Sequence, residues 1–249
     1  MGKAGAVSAG GWRRSGAALL WLLLWLQPVA GQARNYTVAW IGVPVVDVSI
    51  AVTEEPGGTV GRYGAVTRRW FNTIYAVDNH YEVQLLEGQP GPATYRKRVL
   101  ERGNRDSLFV TYDESRGRAF YSNGLERRWQ AGDHNLFSAL LWVERHGWVS
   151  GEAHQLRVEV EGVTWQVSVT CDTVLAAGGP DADARVTVTF GEILRGEPVL
   201  STTDMLTHLL PGKGHRLRLS LNLESRQIRW IELGRQPFVI RARINENNS

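Results

Sequence analysis

Apolar and polar residues alternate along most of this chain with a period of two, the pattern of strands that have one wet face. The clearest stretch runs from Gln155 to Cys171. Leu156, Val158 and Val160 alternate with Arg157, Glu159 and Glu161; then Val163, Trp165, Val167 and Val169 alternate with Thr164, Gln166, Ser168 and Thr170. Glu161-Gly162 between them is a two-residue hairpin loop, which sets Val160 against Val163, Val158 against Trp165 and Leu156 against Val167. Turn and alternation select one register, because a slip of one residue would turn a whole apolar set into water. The pattern returns in Arg185 to Phe190, in His215 to Leu223 and in Phe238 to Ile244. Earlier strands are expected at Tyr36 to Ile41, Val45 to Thr53, Arg62 to Arg68, Tyr81 to Leu86, Thr94 to Leu100, Leu108 to Tyr112 and Arg118 to Tyr121, with Gly-, Pro- and Asn-rich turns between them. Ten or more strands in such a serial meander curl or close, since twist accumulates and open edges invite association.

One segment changes period. From His134 to His146, Leu136, Leu140 and Val143 follow helical spacing, as do Phe137, Leu140 and Leu141. Asp133 or Asn135 can cap the start, Gly147 can end the helix, and Leu140 lies on both apolar spacings. A second, shorter helix is expected around Asp204 to Leu210, and a flexible surface loop at Ala176 to Ala184. The fold class is therefore mainly β: a strongly curved antiparallel sheet or incomplete β-barrel with one packed α-helix over about 134–146, in a single domain spanning 34–249.

Residues 1–33 read as a secretory signal peptide. Lys3, Arg13 and Arg14 lead the apolar run Gly16 to Leu26, and small residues follow up to Ala33, with cleavage after Gly31 or Ala33 fitting equally well. Eleven residues rise only about 16 Å as a helix against roughly 30 Å of hydrocarbon, so the run is too short for an anchor, and no transmembrane span is expected after cleavage. Those three cations carry the whole formal charge of +3. The mature chain is then near neutral, which removes the usual electrostatic argument for nucleic acid. Cys171 is the one cysteine; it shares the phase of Val167 and Val169 and reads as a small buried hydrophobe, and no intramolecular disulfide is available.

Asp133, Ser138-Ala139-Leu140, Trp142-Val143 and Arg145 resemble a signature of the bacterial exported family known as domain of unknown function 3108. Tyr36, Trp40, Gly42-Val43-Pro44 and Asp47 are similar to that family's first two strands. Val77 to Tyr81, Pro92 with Tyr95 and Lys97, and Val110 to Asp113 are similar to its middle strands. The resemblance spans roughly Tyr36 to Val169, and the C-terminal third departs from it. It implies export to the bacterial envelope and a β-rich domain, and brings no activity or cofactor with it.

Chemistry is sparse. The six histidines are scattered along the sequence, with no His-Glu-x-x-His, cysteine pair or acidic calcium loop, so no metal or cofactor is expected. No nucleophile elbow or phosphate-cradling loop occurs. Asp133 and Arg145 bracket the helix with signs that suit its macrodipole. Arg96, Lys97, Arg98, Arg102 and Arg105 form a basic cluster, either a solvated hairpin or a surface for anionic lipid headgroups. Trp70, Phe71 and Tyr75 interrupt the alternation as a short apolar lip, and with Phe137, Leu141 and Trp142 they are the candidates to roof an apolar ligand site. The functional reading is an exported, non-catalytic protein of the periplasm or cell envelope that holds a lipid or other apolar ligand in the groove of its sheet. The alternative is a structural or assembly partner of an envelope protein, with the groove fully packed; a hydrolase with a dispersed site ranks third.

Overall fold

The alternating segments are strands in a computed structural model that describes residues 33–89, 91–175, 182–200, 204, 206–207, 215–235 and 238–245. The first half of the sheet is built from β1 (Ala33–Trp40), β2 (Val43–Glu55), β3 (Gly58–Thr67), β4 (Val77–Leu86), β5 (Pro92–Glu101), β6 (Asn104–Asp113), β7 (Arg118–Tyr121) and β8 (Glu126–Arg128). The second half comprises β9 (Asp133–Asn135), β10 (Ala153–Val160), β11 (Val163–Leu175), β12 (Asp183–Gly196), β13 (Arg216–Asn222), β14 (Gln227–Arg235) and β15 (Phe238–Ile244). Helix α1 (Leu136–Arg145) lies between β9 and β10. The expected signal peptide lies outside the described residues except for Ala33, the first residue of β1. Of the expected short helix at Asp204 to Leu210, only Asp204, Leu206 and Thr207 are described, the last two helical.

Among the described residues, all fifteen strands join one open, curved sheet. Each half follows sequence order, antiparallel throughout except where β9 meets β10, and the halves are joined where β1 pairs with β15, with Tyr36 beside Ile244 and Val38 beside Ala242. The sheet therefore ends at β8 and β9, which are adjacent in sequence and three residues long each. Short edges of this kind offer little template for a foreign strand. The β10–β11 hairpin has the register that its alternation requires, with Val160 opposite Val163, Val158 opposite Trp165 and Leu156 opposite Val167. Its loop residues Glu161 and Gly162 have φ of 51° and 97°, the left-handed pair of a type I′ turn.

Helix α1 starts two residues later than its apolar spacing suggests, because Asp133–Asn135 are held extended as a parallel partner of β10. Asn135 is the N-cap: its side chain accepts from the Ser138 N–H at 2.7 Å, and the Ser138 hydroxyl oxygen accepts from the Asn135 N–H at 2.9 Å. Asp133 does not serve the helix dipole. It is fully buried and ion-paired to Arg157 and Arg195, while Arg145 reaches Glu54 and Thr59 on the first half of the sheet.

The helix has two working faces because the sheet curls around it. Phe137, Leu141 and Glu144 meet the first half. The Phe137 ring centroid lies 4.7 Å from that of Tyr63 and 4.6 Å from that of Tyr81. Leu141 fills the space over Gly61, where an added Cβ would come within 3.1 Å of its Cδ1. Glu144 accepts both prongs of the buried Arg34 guanidinium at 2.6 and 3.1 Å. Leu136, Ala139, Leu140 and Val143 meet Val158, Val167, Val188, Phe190 and Leu217 of the second half. Leu140, expected at the centre of the buried face, is only partly buried, whereas Phe137, Leu141 and Val143 are almost fully so.

Candidate functional site

Space inside the sheet comes first, because a groove for an apolar ligand needs it. The apolar cavity between α1 and strands β10 to β13 measures about 20 Å³. Phe137 and Leu141 are part of the core that fills this region. Trp142 lies elsewhere, against His146 and Trp148. Trp70, Phe71 and Tyr75 belong to the β3–β4 connection, where Phe71 packs against Trp70 and Trp40 and the Tyr75 hydroxyl donates to Glu101. The six expected roof residues therefore occupy three separate places.

Charge is buried where the two ends of the sheet approach one another. On β5, Tyr95, Lys97 and Val99 all face inward. The Lys97 ammonium contacts Glu161 of the β10–β11 turn and lies 2.7 Å from Asp204, whose carboxylate also accepts from the Thr207 N–H and hydroxyl. Beside it, Glu159 accepts from the Tyr112 and Tyr121 hydroxyls at 3.1 and 3.0 Å and from the Gly162 N–H. Trp129, in the link between β8 and β9, closes over Tyr112 with ring centroids 4.2 Å apart. Desolvation works against the Lys97 charge, but Asp204 and Glu161 outweigh it and raise the lysine pKa. Burial pushes Glu161 up despite Lys97, and pushes Glu159 up despite its three donors. Burial also opposes ionisation of Asp204, yet Lys97 holds it below the usual carboxylate range. Enclosed charges of this kind tie β5, β6 and β7 to the β10–β11 hairpin.

Lys97 thus leaves the basic cluster that sequence assigns to the surface. Arg96, Arg98, Arg102 and Arg105 are exposed, each in its own surroundings. The Arg96 guanidinium lies over Phe109 at 5.5 Å, and Arg98 and Arg105 line an open depression together with Asp78 and Asp106. Arg102 lies over the Tyr75 ring at 5.3 Å, which places it at the lip. That lip is larger than the sequence suggests. The β1–β2 turn adds Trp40, Ile41 and Val43 to Trp70 and Ile74, with Ile41 80% and Ile74 69% exposed. Arg69 is exposed next to Trp70, and Arg68 is paired to Asp47 at 2.8 Å.

A third cluster corrects the reading of the histidines as scattered. His146 ends α1, Glu152 follows in the turn and His154 is the second residue of β10. The Glu152 Oε1 lies 2.9 Å from His146 Nε2 and 2.7 Å from His154 Nε2. These hydrogen bonds, with one from the Val149 N–H, hold the Glu152 carboxyl down at about 2. Sequence shows only His-x5-Glu-x-His; the fold-back of Gly147 to Gly151 that joins its ends is not a periodic feature. Asp78 and His80 pair on the outer face of β4 at 2.7 Å.

A curved sheet wound around helix α1, its seam latched by buried charge, defines a β-barrel-like domain. No family model and no curated protein matches the chain. Among solved structures it is similar to a β-barrel-like protein of domain of unknown function DUF1849 from Brucella abortus. The two are 9% identical, with 88% of this chain and 97% of that chain covered and a TM-score of 0.56. A DUF1089 family protein from Pseudomonas aeruginosa overlaps 91% of this chain and 95% of its own at 12% identity, with a TM-score of 0.42. The first likeness is one of fold, and it shows a β-barrel-like architecture for this chain. That likeness does not extend to domain of unknown function 3108 specifically.

Proposed function

We propose that this protein is an exported, non-catalytic domain of the bacterial envelope that meets lipid at its aromatic lip, against a bilayer surface, and not inside its sheet. The observation that carries this reading is that, among the described residues, the apolar space between α1 and strands β10 to β13 is nearly filled while an apolar rim is not. The cavity of about 20 Å³ has room for about one water and none for an acyl chain. Trp40, Ile41, Val43, Trp70 and Ile74 meanwhile stand in solvent at one place on the rim. Aromatic side chains favour the headgroup level of a bilayer, and Arg69 and Arg102 beside them supply charge that anionic lipid attracts by about 1 kcal/mol each. Export rests on the leader before Ala33 and on the resemblance to domain of unknown function 3108.

Sedimentation with vesicles of phosphatidylglycerol and phosphatidylcholine tests the reading. Ile41→Ser and Trp70→Ala should each weaken vesicle binding about tenfold, since either removes apolar area worth at least about 1.4 kcal/mol on insertion. Both should leave thermal stability nearly unchanged, because the side chains touch little of the core. Full vesicle binding by the double variant would defeat the proposal. A wild-type chain that ignores vesicles but binds an envelope protein through the same lip would favour the assembly-partner reading.

A further inference from the structure

The cluster at the end of α1 belongs neither to the core nor to the lip, and its donor set is chemically specific. We propose that His146, Glu152 and His154 form a binding site for a borderline-soft divalent cation of the zinc class. One ligand atom from each, Nε2, Oε1 and Nε2, lies within 4.8 Å of the other two. Two imidazoles and a carboxylate are a common protein donor set for zinc, and three ligands leave a fourth position for water.

The cluster is held ready for such an ion by contacts that a chance meeting of side chains would lack. The Val149 N–H donates to Glu152 Oε2 at 3.0 Å, which turns Oε1 toward both imidazoles. The Glu152 N–H donates back to the Val149 carbonyl, and the Gly151 N–H donates to the Cys171 carbonyl. The Cys171 N–H in turn donates to the Glu152 carbonyl, so the turn is pinned to β11 on either side of the carboxylate. Trp142 stacks on His146 at 4.7 Å between centroids and meets His154 edge-on at 5.1 Å. Trp148 lies 4.5 Å from His146, and its own indole N–H is fixed to the Val143 carbonyl at 2.9 Å. Outer contacts of this sort orient metal ligands and raise affinity.

Spacing and access also fit. Ligand atoms on a tetrahedral zinc lie about 3.3 Å apart, given bonds of about 2.0 to 2.2 Å. The carboxylate oxygen is 2.9 and 2.7 Å from the two nitrogens and all three atoms lie within 4.8 Å of one another, so an ion entering between them would spread each O···N distance by a few tenths of an ångström and set the N···N distance at about 3.3 Å. Each imidazole would then carry its proton on Nδ1 and present Nε2 to the ion. All three side chains are between one fifth and one third exposed, which leaves a route from solvent.

The test uses the purified chain without an affinity tag, stripped by a chelator and titrated with Zn²⁺ against a chromophoric competitor. Binding of one Zn²⁺ per chain at ~1 μM or tighter is expected. His154→Ala and Glu152→Gln should each weaken it at least about tenfold. His80→Ala, which removes an exposed imidazole on β4, should leave it unchanged. Cu²⁺ should quench indole fluorescence saturably in the wild type and not in His154→Ala, because Trp142 and Trp148 adjoin the site. Glu152→Gln keeps the shape of the side chain, so it decides the matter if His154→Ala folds poorly. Absence of Zn²⁺ binding, or equal binding by both variants, overturns the proposal; neither result bears on the lip.

Discussion

An ammonium held between two carboxylates, as Lys97 is between Glu161 and Asp204, is costly to break by halves. Lys97→Met keeps the stem but leaves two buried acids without their cation, and should lower the unfolding free energy by about 3 to 5 kcal/mol in urea. Adding Glu161→Gln and Asp204→Asn to that variant should recover much of the loss; no recovery would mean that the lysine stem, not its charge, matters. The inward aim of Lys97 was legible only in the phase it shares with Tyr95 and Val99, which the reading of a basic surface cluster overrode. Its partners were not: Glu161 is 64 residues away, and local alternation carries no information on which distant residue supplies a counter-charge. His134 makes a separate case. It is buried on β9, and desolvation pushes its imidazole down to about 4, with Asp133 opposing and Arg157 adding to the effect. The unfolded chain therefore takes up a proton that the folded one refuses. Stability from this group is whole above about pH 6.5 and drains as the pH falls toward 4, by an amount of order 3 kcal/mol. Glu159 and Glu161, whose values are raised, act with the opposite sign in acid, since protonation relieves their burial. Comparison with His134→Leu isolates the imidazole: between about pH 7 and pH 4.5 the wild type should lose more unfolding free energy than the variant. Parallel losses would show that the ring charges freely in the fold.

Helix α1 was visible from its period, yet its burial was not, because a single apolar stripe describes a helix lying on a sheet and this one lies within a curl. Each half of the sheet takes its own row, Phe137-Leu141-Glu144 on one side and Leu136-Leu140-Val143 on the other. Phe137→Ala should cost about 3 to 5 kcal/mol, since its ring is enclosed by Tyr63, Tyr81 and Tyr95. Leu140→Ala should cost less, near the lower end of the roughly 2 to 5 kcal/mol range for buried leucine, as this side chain is partly open to solvent. Melting curves of the two variants check the order, and a reversal would place the centre of the helix on the β10 to β13 side. The β10–β11 hairpin was legible down to its register because turn and alternation agree there. The His146, Glu152 and His154 cluster was not, because its members come from a helix end, a turn and a strand, and only the fold-back between them sets their distance.

At the scale of the whole molecule, the first seven strands, β10 to β13, β15 and the curvature follow from alternation and turn residues, while β14 and the pairing of β1 with β15 needed the structure. In β14 the inward side chains run Ile228, Ile231, Leu233, and the spacing of three marks a bulge: Ser220 pairs with Trp230 but Leu221 with Ile228, leaving Arg229 extra. A strand that breaks its own period is invisible to a search for that period. The parallel contact of β9 with β10 was hidden for a related reason, as three residues are too few to show alternation. The pairing of β1 with β15 also sets a timetable for making the protein. Chains are synthesised from the amino end at about 5 to 20 residues per second, so the stretch from Trp40 to Phe238 takes roughly 10 to 40 s. Throughout that interval β1 has β2 on one side and nothing on the other. A bare strand edge recruits whatever extended chain comes near, including another copy at the same stage. The nascent protein is therefore most exposed to misassembly at its oldest strand, and it stays so until Phe238–Ile244 arrives and covers β1 and β14 in a single step.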